Sequence, residues 1–172
     1  GNNYYGLYAT FIDKFDEKTN RPVLKGIDPL SLIIDPRNYQ DSEMRFIGFE
    51  KTVTIDYIKK NKHYNAKARD QVVAGISEEQ RRTEQATATA NKMQYVEDDE
   101  MTTIVYFFTT FEGKKYMTIW DKDFVNLLRQ EELEALDDEE VANPDKIKYP
   151  IRLHRRKPKF KSAFGYALVD EV

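Results

Sequence analysis

The sequence contains no cysteine. That excludes a disulfide framework and any thiolate metal site, and it fits a reducing compartment. Histidine is almost as scarce: His63 and His154 are remote from one another, and each sits among lysines or arginines. A transition metal needs neutral imidazole, and neighbouring cations make both positions poor ligands. Only 7 glycines occur, and none belongs to a G-x-x-x-x-G-K-[ST] phosphate loop or a G-x-S-x-G nucleophile elbow. No apolar run approaches the length of a membrane span. The opening Gly1-Asn2-Asn3 has neither the basic flank nor the apolar stretch of a signal peptide.

What is present suggests a folded chain. Its 172 residues suffice for one domain, or for two small lobes sharing a core. Charged residues make up 33% and aromatics 13%, and so many Tyr and Phe argue against wholesale disorder. The net charge of −3 provides no global basic field to recruit nucleic acid. The leading Gly1 without Met and the final SAFGYALVDEV, which reads as a helix just starting, suggest a piece of a longer protein.

The expected fold class is α+β. Tyr4 to Phe15 and Val23 to Ile27 flank the turn composition DEKTNRP and predict a β-hairpin. Leu30 to Ile34, bounded by Asp28-Pro29 and Asp35-Pro36, reads as a short buried strand, and Met44 to Val53 as another strand. Thr54 is placed to cap a short helix ending in Lys59 and Lys60, whose charge suits the helix dipole. Asn65 to Met93 carries helical spacing at Ala68, Val72, Val73 and Ile76. Ser77 with Gln80 is a candidate capping box that would start a second helix there, and beyond it the segment is polar and reads as a solvated helix or as a segment awaiting a partner. MTTIVYFFTTF, Met101 to Phe111, is the strongest strand signal, and YMTIW returns after the turn EGKK. DKDFVNLLRQEELEALDDEEV reads as amphipathic and acidic. NPDKIKYPIRLHRRKPKFKS reads as extended and basic, with Pro144, Pro150 and Pro158 keeping it out of helix. Ser162 is positioned to cap a final helix.

Three groups of residues invite a chemical reading. Asp35, Asp41 and Glu43 crowd one turn, as a hard-cation loop or an acid/base pair requires. Their spacing matches no EF-hand, and Asp before Pro is common turn chemistry, so structural punctuation is the favoured reading. The acidic run Glu131 to Glu140 reads as a solvated face. The basic run Lys146 to Lys161, interleaved with Tyr149 and Phe160, suits either a nucleic-acid backbone or an acidic patch on a neighbouring subunit. These residues indicate no cofactor, metal or catalytic set.

The order of segments resembles that of tailed-bacteriophage portal proteins, the head-to-tail connectors. The wing region of that family has a strand, a D-P-x-x-x-x-x-D-P stretch, an acidic residue, an aromatic strand and a short t-x-d-x-l-k-k helix. Asp28, Pro29, Asp35, Pro36, Asp41, Phe46, Ile47 and the helix from Thr54 match it here. YPIRLHRRKPKFKSAFGYALVDEV is similar to the portal stretch where a y-P-i strand and basic loop lead into s-x-x-G-x-x-l-v-x-x, opening a channel-side helix. The resemblance spans about Val23 to the end. It implies a wing-like β-rich part over 1–64, a helical stem segment over 65–93, a clip-like β unit with the basic extended segment over 94–161, and the start of a second stem helix over 162–172.

It also implies a structural and mechanical protein rather than an enzyme. The role would be that of a virion component forming a ring, usually of twelve subunits, at the capsid portal vertex. Such a ring assembles in the bacterial host cytoplasm. Double-stranded DNA passes through its channel, and terminase and head-completion or tail adaptor proteins dock on it, with no membrane involved. Candidate contacts to a neighbouring subunit or to terminase are Glu131, Glu132, Asp137, Asp138, Arg152, Arg155 and Arg156. Lys157, Lys159 and Lys161 are candidates to face DNA. The alternatives are a small nucleic-acid-binding module using Lys146 to Lys161, and a hydrolase using the carboxylates of the Asp35 to Glu43 turn.

Overall fold

A computed structural model of the chain describes residues 7–16, 18, 21–37, 44–76, 78–94, 100–135, 138–143 and 148–155. The class is α+β, as expected, with antiparallel strand predominating over helix. The chain divides into two compact units. One comprises Gly1–Ile47, Thr109–Lys115 and Leu133–Val172; the other comprises Gly48–Phe108 and Tyr116–Glu132.

The first unit holds a three-stranded sheet of order β2-β1-β8, from β1 (Leu7–Asp16), β2 (Arg21–Ile27) and β8 (Ile151–Arg155). The expected hairpin is β1 with β2, antiparallel, with Ala9 opposite Ile27 and Asp16 opposite Arg21. A register shift between Ile12 and Lys14 inserts Asp13 as a bulge. β8 pairs antiparallel with the other side of β1, Tyr8 opposite His154 and Phe11 opposite Ile151. The extended reading of the basic segment therefore holds for Ile151 to Arg155. Strand alternation buries Ala9, Phe11, Ile27, Ile151 and Leu153 on one face.

A five-stranded sheet has the order β3-β4-β5-β6-β7. Its strands are β3 (Leu32–Ile34), β4 (Phe46–Thr54), β5 (Met101–Phe111), β6 (Lys114–Asp121) and β7 (Leu127–Glu132). β5 is central and nearly continuous in apolar and β-branched residues; Ile104, Val105 and Phe108 are completely buried on it. It turns into β6 through Glu112 and Gly113, both at positive φ (50° and 76°), the geometry a two-residue hairpin needs. β3 is shorter than expected and only half-buried, because Pro29 to Ser31 forms a 3-10 turn in front of it.

Thr54 caps α1 (Ile55–Lys60) as expected, its hydroxyl accepting from the Tyr57 N–H at 3.1 Å. The segment from Asn65 forms two helices, α2 (Ala66–Gln71) and α3 (Glu78–Ala90), the second beginning beside Ser77, where a second helix was expected to start. Between them the chain is fastened to the start of β5: the Gly75 N–H donates to the Met101 carbonyl at 2.8 Å, and the Thr102 hydroxyl to the Val73 carbonyl at 3.2 Å. Gly75 sits at φ +124°, a region favouring glycine, so the break is written into the backbone. α3 ends in a Schellman motif: Lys92 lies at φ +55°, and the Met93 N–H returns to the Ala88 carbonyl at 2.8 Å. The core of this second unit gathers Val53, Ile58, Tyr64, Ala68, Val72, Ile104, Ile119 and Leu128 from helices and strands together.

The acidic stretch after Trp120, read only as amphipathic, runs as strand β7 and then the short helix α4 (Asp138–Ala142), because a tight turn at Asp121 sends the chain back along β6. β4, from the part expected at 1–64, and β5, from the part expected at 94–161, are neighbours in one sheet. The capping pair at Ser77, the helix from Ser162 and the second stem helix over 162–172 lie outside the described residues.

Candidate functional site

The carboxylate turn resolves into local structure. Asp28 caps the 3-10 turn: its side chain accepts from the Leu30 N–H at 3.0 Å, and its carbonyl accepts from the Ser31 hydroxyl at 2.8 Å. Asp35 is completely buried. Its Oδ2 accepts from Arg45 Nε at 2.8 Å and from the Arg45 N–H at 3.3 Å; its Oδ1 accepts from Arg45 Nη2 at 3.0 Å and from the Arg37 N–H at 3.0 Å. The forked guanidinium pairing, aided by the two backbone donors, holds this carboxyl well below the usual carboxylate range, although burial pulls the other way. The same bond and charge raise Arg45 further.

Each Asp35 oxygen thus has two donors, leaving it no vacant position for a cation and no role as a proton acceptor near neutrality. Asp41 and Glu43 lie outside the described residues. Among the described residues, no group of three or more His, Asp or Glu side chains could hold a metal ion. What Asp35 does is fasten the end of β3 to Arg37 just after it and to Arg45 just before β4.

The Arg45 carbonyl is a second anchor. It accepts from the Tyr149 hydroxyl at 2.8 Å and from the Thr110 N–H at 3.3 Å. With the phenol proton committed there, the Thr110 hydroxyl donates to the Tyr149 oxygen at 2.7 Å. Burial raises the Tyr149 phenol, the Thr110 bond opposes this and the Asp35 charge adds to it. Lys115 Nζ lies 5.8 Å from the centre of the same ring. In the other unit, burial first, then the Tyr106 and Tyr57 phenols, push Tyr64 far above its ordinary value. Both buried phenols are therefore protonated hydrogen-bonding groups at neutral pH.

The charged residues singled out in the sequence fall in different units. Glu131 and Glu132 are exposed on β7, where Arg129 Nε already donates to Glu131 Oε1 at 2.9 Å. Asp138 opens α4, and Asp137 lies outside the described residues. Glu140, within the run read as a solvated face, is instead buried and accepts from the Lys148 N–H at 3.2 Å. Arg152 is half-buried and turned inward along its own strand, Nη1 donating to the Tyr149 carbonyl at 2.7 Å. Arg155 ends β8 opposite Leu7. Arg156, Lys157, Lys159 and Lys161 lie outside the described residues. His63 is exposed. His154 bonds the Thr10 hydroxyl at 3.2 Å and rests 5.4 Å from the Tyr8 ring.

Sequence reasoning passed over the Asp121–Asn126 loop. The buried Asp121 carboxylate takes the N–H of Val125 at 2.8 Å, that of Asn126 at 3.1 Å and the Asn126 amide at 2.7 Å. Its backbone N–H reaches the Asn126 carbonyl at 3.1 Å, and its carbonyl takes the Phe124 N–H at 3.1 Å. The one available signal was an Asp and an Asn five residues apart between two strand-like runs.

No helix among the described residues is long and apolar enough to cross a membrane. No protein-family model matches this chain, and no curated protein matches it.

Proposed function

We propose that this chain is part of a portal-ring subunit, a structural piece of a phage head-to-tail connector and not an enzyme. The observation that carries the reading is the order of elements from Asp28 to Lys60: an Asp-Pro-bounded strand, a second Asp-Pro turn, an aromatic strand, and a Thr-capped helix rich in lysine. The physical roles of the carboxylates support it. Asp28 caps a turn and Asp35 locks a loop, so the part of the sequence most like an active site is committed to holding strands together. A carboxylate hydrolase built on this turn would lack its central residue.

The reading is refined in one respect. A clip separated from the wing by a stem helix could not share a sheet with wing strands. The pairing of β4 with β5 therefore supports assigning Met101–Glu132 to the wing. The partners implied are further copies of the same protein, terminase, head-completion or tail adaptor proteins, and the double-stranded DNA that passes through the ring. The location implied is the capsid portal vertex, with assembly in the bacterial cytoplasm. Arg155, the last residue of β8, and Arg156, the next in sequence, are candidates to meet acidic residues such as Glu131 and Glu132 of the next subunit.

Negative-stain imaging of the full-length protein tests this. Rings with a central hole are expected, and Arg155→Glu with Arg156→Glu is expected to weaken their assembly. A full-length protein that stays monomeric at high concentration would overturn the reading.

A further inference from the structure

The corner made by α1 and α2 is charged against the sign of the chain. Residues 51–67 hold five lysines and one carboxylate, in a chain of net charge −3. That carboxylate, Asp56, is taken by Lys60 at 2.6 Å. Lys59, Lys62 and Lys67 are exposed, and among the described residues they have no carboxylate partner. The fold accounts for Lys59, whose charge suits the C-terminal end of α1. It does not account for Lys67, which stands in the first turn of α2, where the helix dipole works against a cation. The two helices are held together at this corner by Arg69, whose Nη1 donates to the Asn61 carbonyl at 3.2 Å. The same corner carries an open aromatic ring. Tyr57 is 43% exposed, stands edge-on to the buried Tyr64 at 6.4 Å, and has Lys51 Nζ 5.9 Å from its centre. Between residues 51 and 71 it is the one large apolar side chain that is exposed.

We propose that this corner binds single-stranded nucleic acid, with Lys59, Lys62 and Lys67 on phosphates and the Tyr57 ring stacked on a base. Cations that no carboxylate compensates are complementary to a phosphate backbone, and binding there releases the counterions that the backbone had condensed. An exposed ring with a cation alongside suits stacking that tolerates any base, and an unpaired strand offers the base face that a duplex keeps covered. An anionic membrane would also attract the lysines, but it calls for a face of apolar side chains to sink into the lipid, and this corner has a single tyrosine. The inference goes beyond the ring reading and does not rest on it, because α1 and α2 lie within one compact unit and are present in a lone subunit.

The test titrates the chain into a fluorescein-labelled oligothymidylate and reads anisotropy at several salt concentrations, with thermal melting of each variant as the folding control. Lys59→Gln, Lys62→Gln and Lys67→Gln made together are expected to melt as wild type does and to weaken binding by about tenfold or more. They should also flatten the slope of log affinity against log salt by about 2, since each phosphate contact on a single strand contributes roughly 0.7. Tyr57→Phe keeps the ring and is expected to bind as wild type does, whereas Tyr57→Leu should bind about tenfold more weakly. No binding by the wild-type chain at low salt overturns the proposal. So does binding that the three lysine changes leave intact, which would lie elsewhere on the chain. Duplex DNA bound as tightly as the single strand, or Tyr57→Leu binding as wild type does, overturns the stacking contact and with it the choice of an unpaired strand. Capture by phosphatidylserine vesicles without binding to the oligonucleotide overturns it in favour of a membrane surface. Rings that bind no oligonucleotide would sink this inference alone, and binding by a chain that forms no rings would support it without the ring reading.

Discussion

Gly48 offers the most direct test of how closely the strands of the second unit approach. A Cβ added there would lie 2.5 Å from the Tyr106 carbonyl oxygen, 3.1 Å from a Phe107 ring carbon and 3.4 Å from the Phe107 Cα. Two of these three atoms belong to backbone, which cannot swing aside like a side chain. A contact of 2.5 Å must lengthen by about 0.7 Å to become tolerable, and here that means moving β4 from β5 within a close-packed core. Overpacking of this kind typically destabilises by about 1–3 kcal/mol, and a backbone clash belongs near the upper figure. Gly48 is not at positive φ, so replacing it also stiffens the unfolded chain, which returns about 0.4–1 kcal/mol. The net loss for Gly48→Ala is therefore about 2 kcal/mol, or roughly 4–8 °C in melting temperature for a chain of this size. Gly26→Ala is the control: nothing lies within 4 Å of its Cβ, and it should melt as wild type does or slightly higher. If Gly48→Ala melts within a degree of wild type, the strand pairing described here is wrong at its centre.

Four further expectations follow from named contacts. Asp35→Asn should lower stability at neutral pH and flatten the acid limb of the stability profile. A depressed carboxyl contributes stability that is complete above its unfolded value of about 4 and is lost as the pH falls toward the folded one, so parallel urea midpoints from pH 7 to 3 for mutant and wild type would contradict the assignment. Tyr149→Phe removes the donor to the Arg45 carbonyl and should lose about 1–2 kcal/mol, with Thr110→Val strongly non-additive in the same background; simple additivity would mean the three groups do not act together. Thr54→Ala should lose about 1 kcal/mol through the N-cap of α1, measured by chemical denaturation. Calcium or magnesium should leave the melting temperature unchanged, and a rise that grows with metal concentration would reopen the carboxylate turn as a binding site.

The parts of the fold legible in the sequence were those fixed over short range. The hairpin of β1 and β2, the run of β5 and the cap at Thr54 follow from alternation, composition and one well-placed hydroxyl. A second helix from about Ser77 was legible, and α3 begins at Glu78; the early end of α2 at Gln71 was not, because Asn65 to Ile76 keeps helical spacing. What stops that helix is the bonding of Val73 to Thr102 and of Gly75 to Met101, at the start of a strand far along the chain. Strand β7 was missed for a related reason. LLRQEELEAL has helical composition, yet the Asp121 turn delivers Leu127 opposite Trp120, and pairing with β6 then outweighs propensity.

The same distinction governs the charges. Sequence shows where carboxylates and guanidinium groups are, but not which are already satisfied. Asp35 with Asp41 and Glu43 looked like a cluster, yet the residue that matters to Asp35 is Arg45, ten positions away, whose fork takes both carboxylate oxygens. Asp121, unremarked in the sequence, proves to be the carboxylate that holds a strained loop in place. Glu140, in the middle of an acidic run, is buried against the backbone of residue 148. In each case the local environment turns a group that might have reacted or bound an ion into one that fixes a turn.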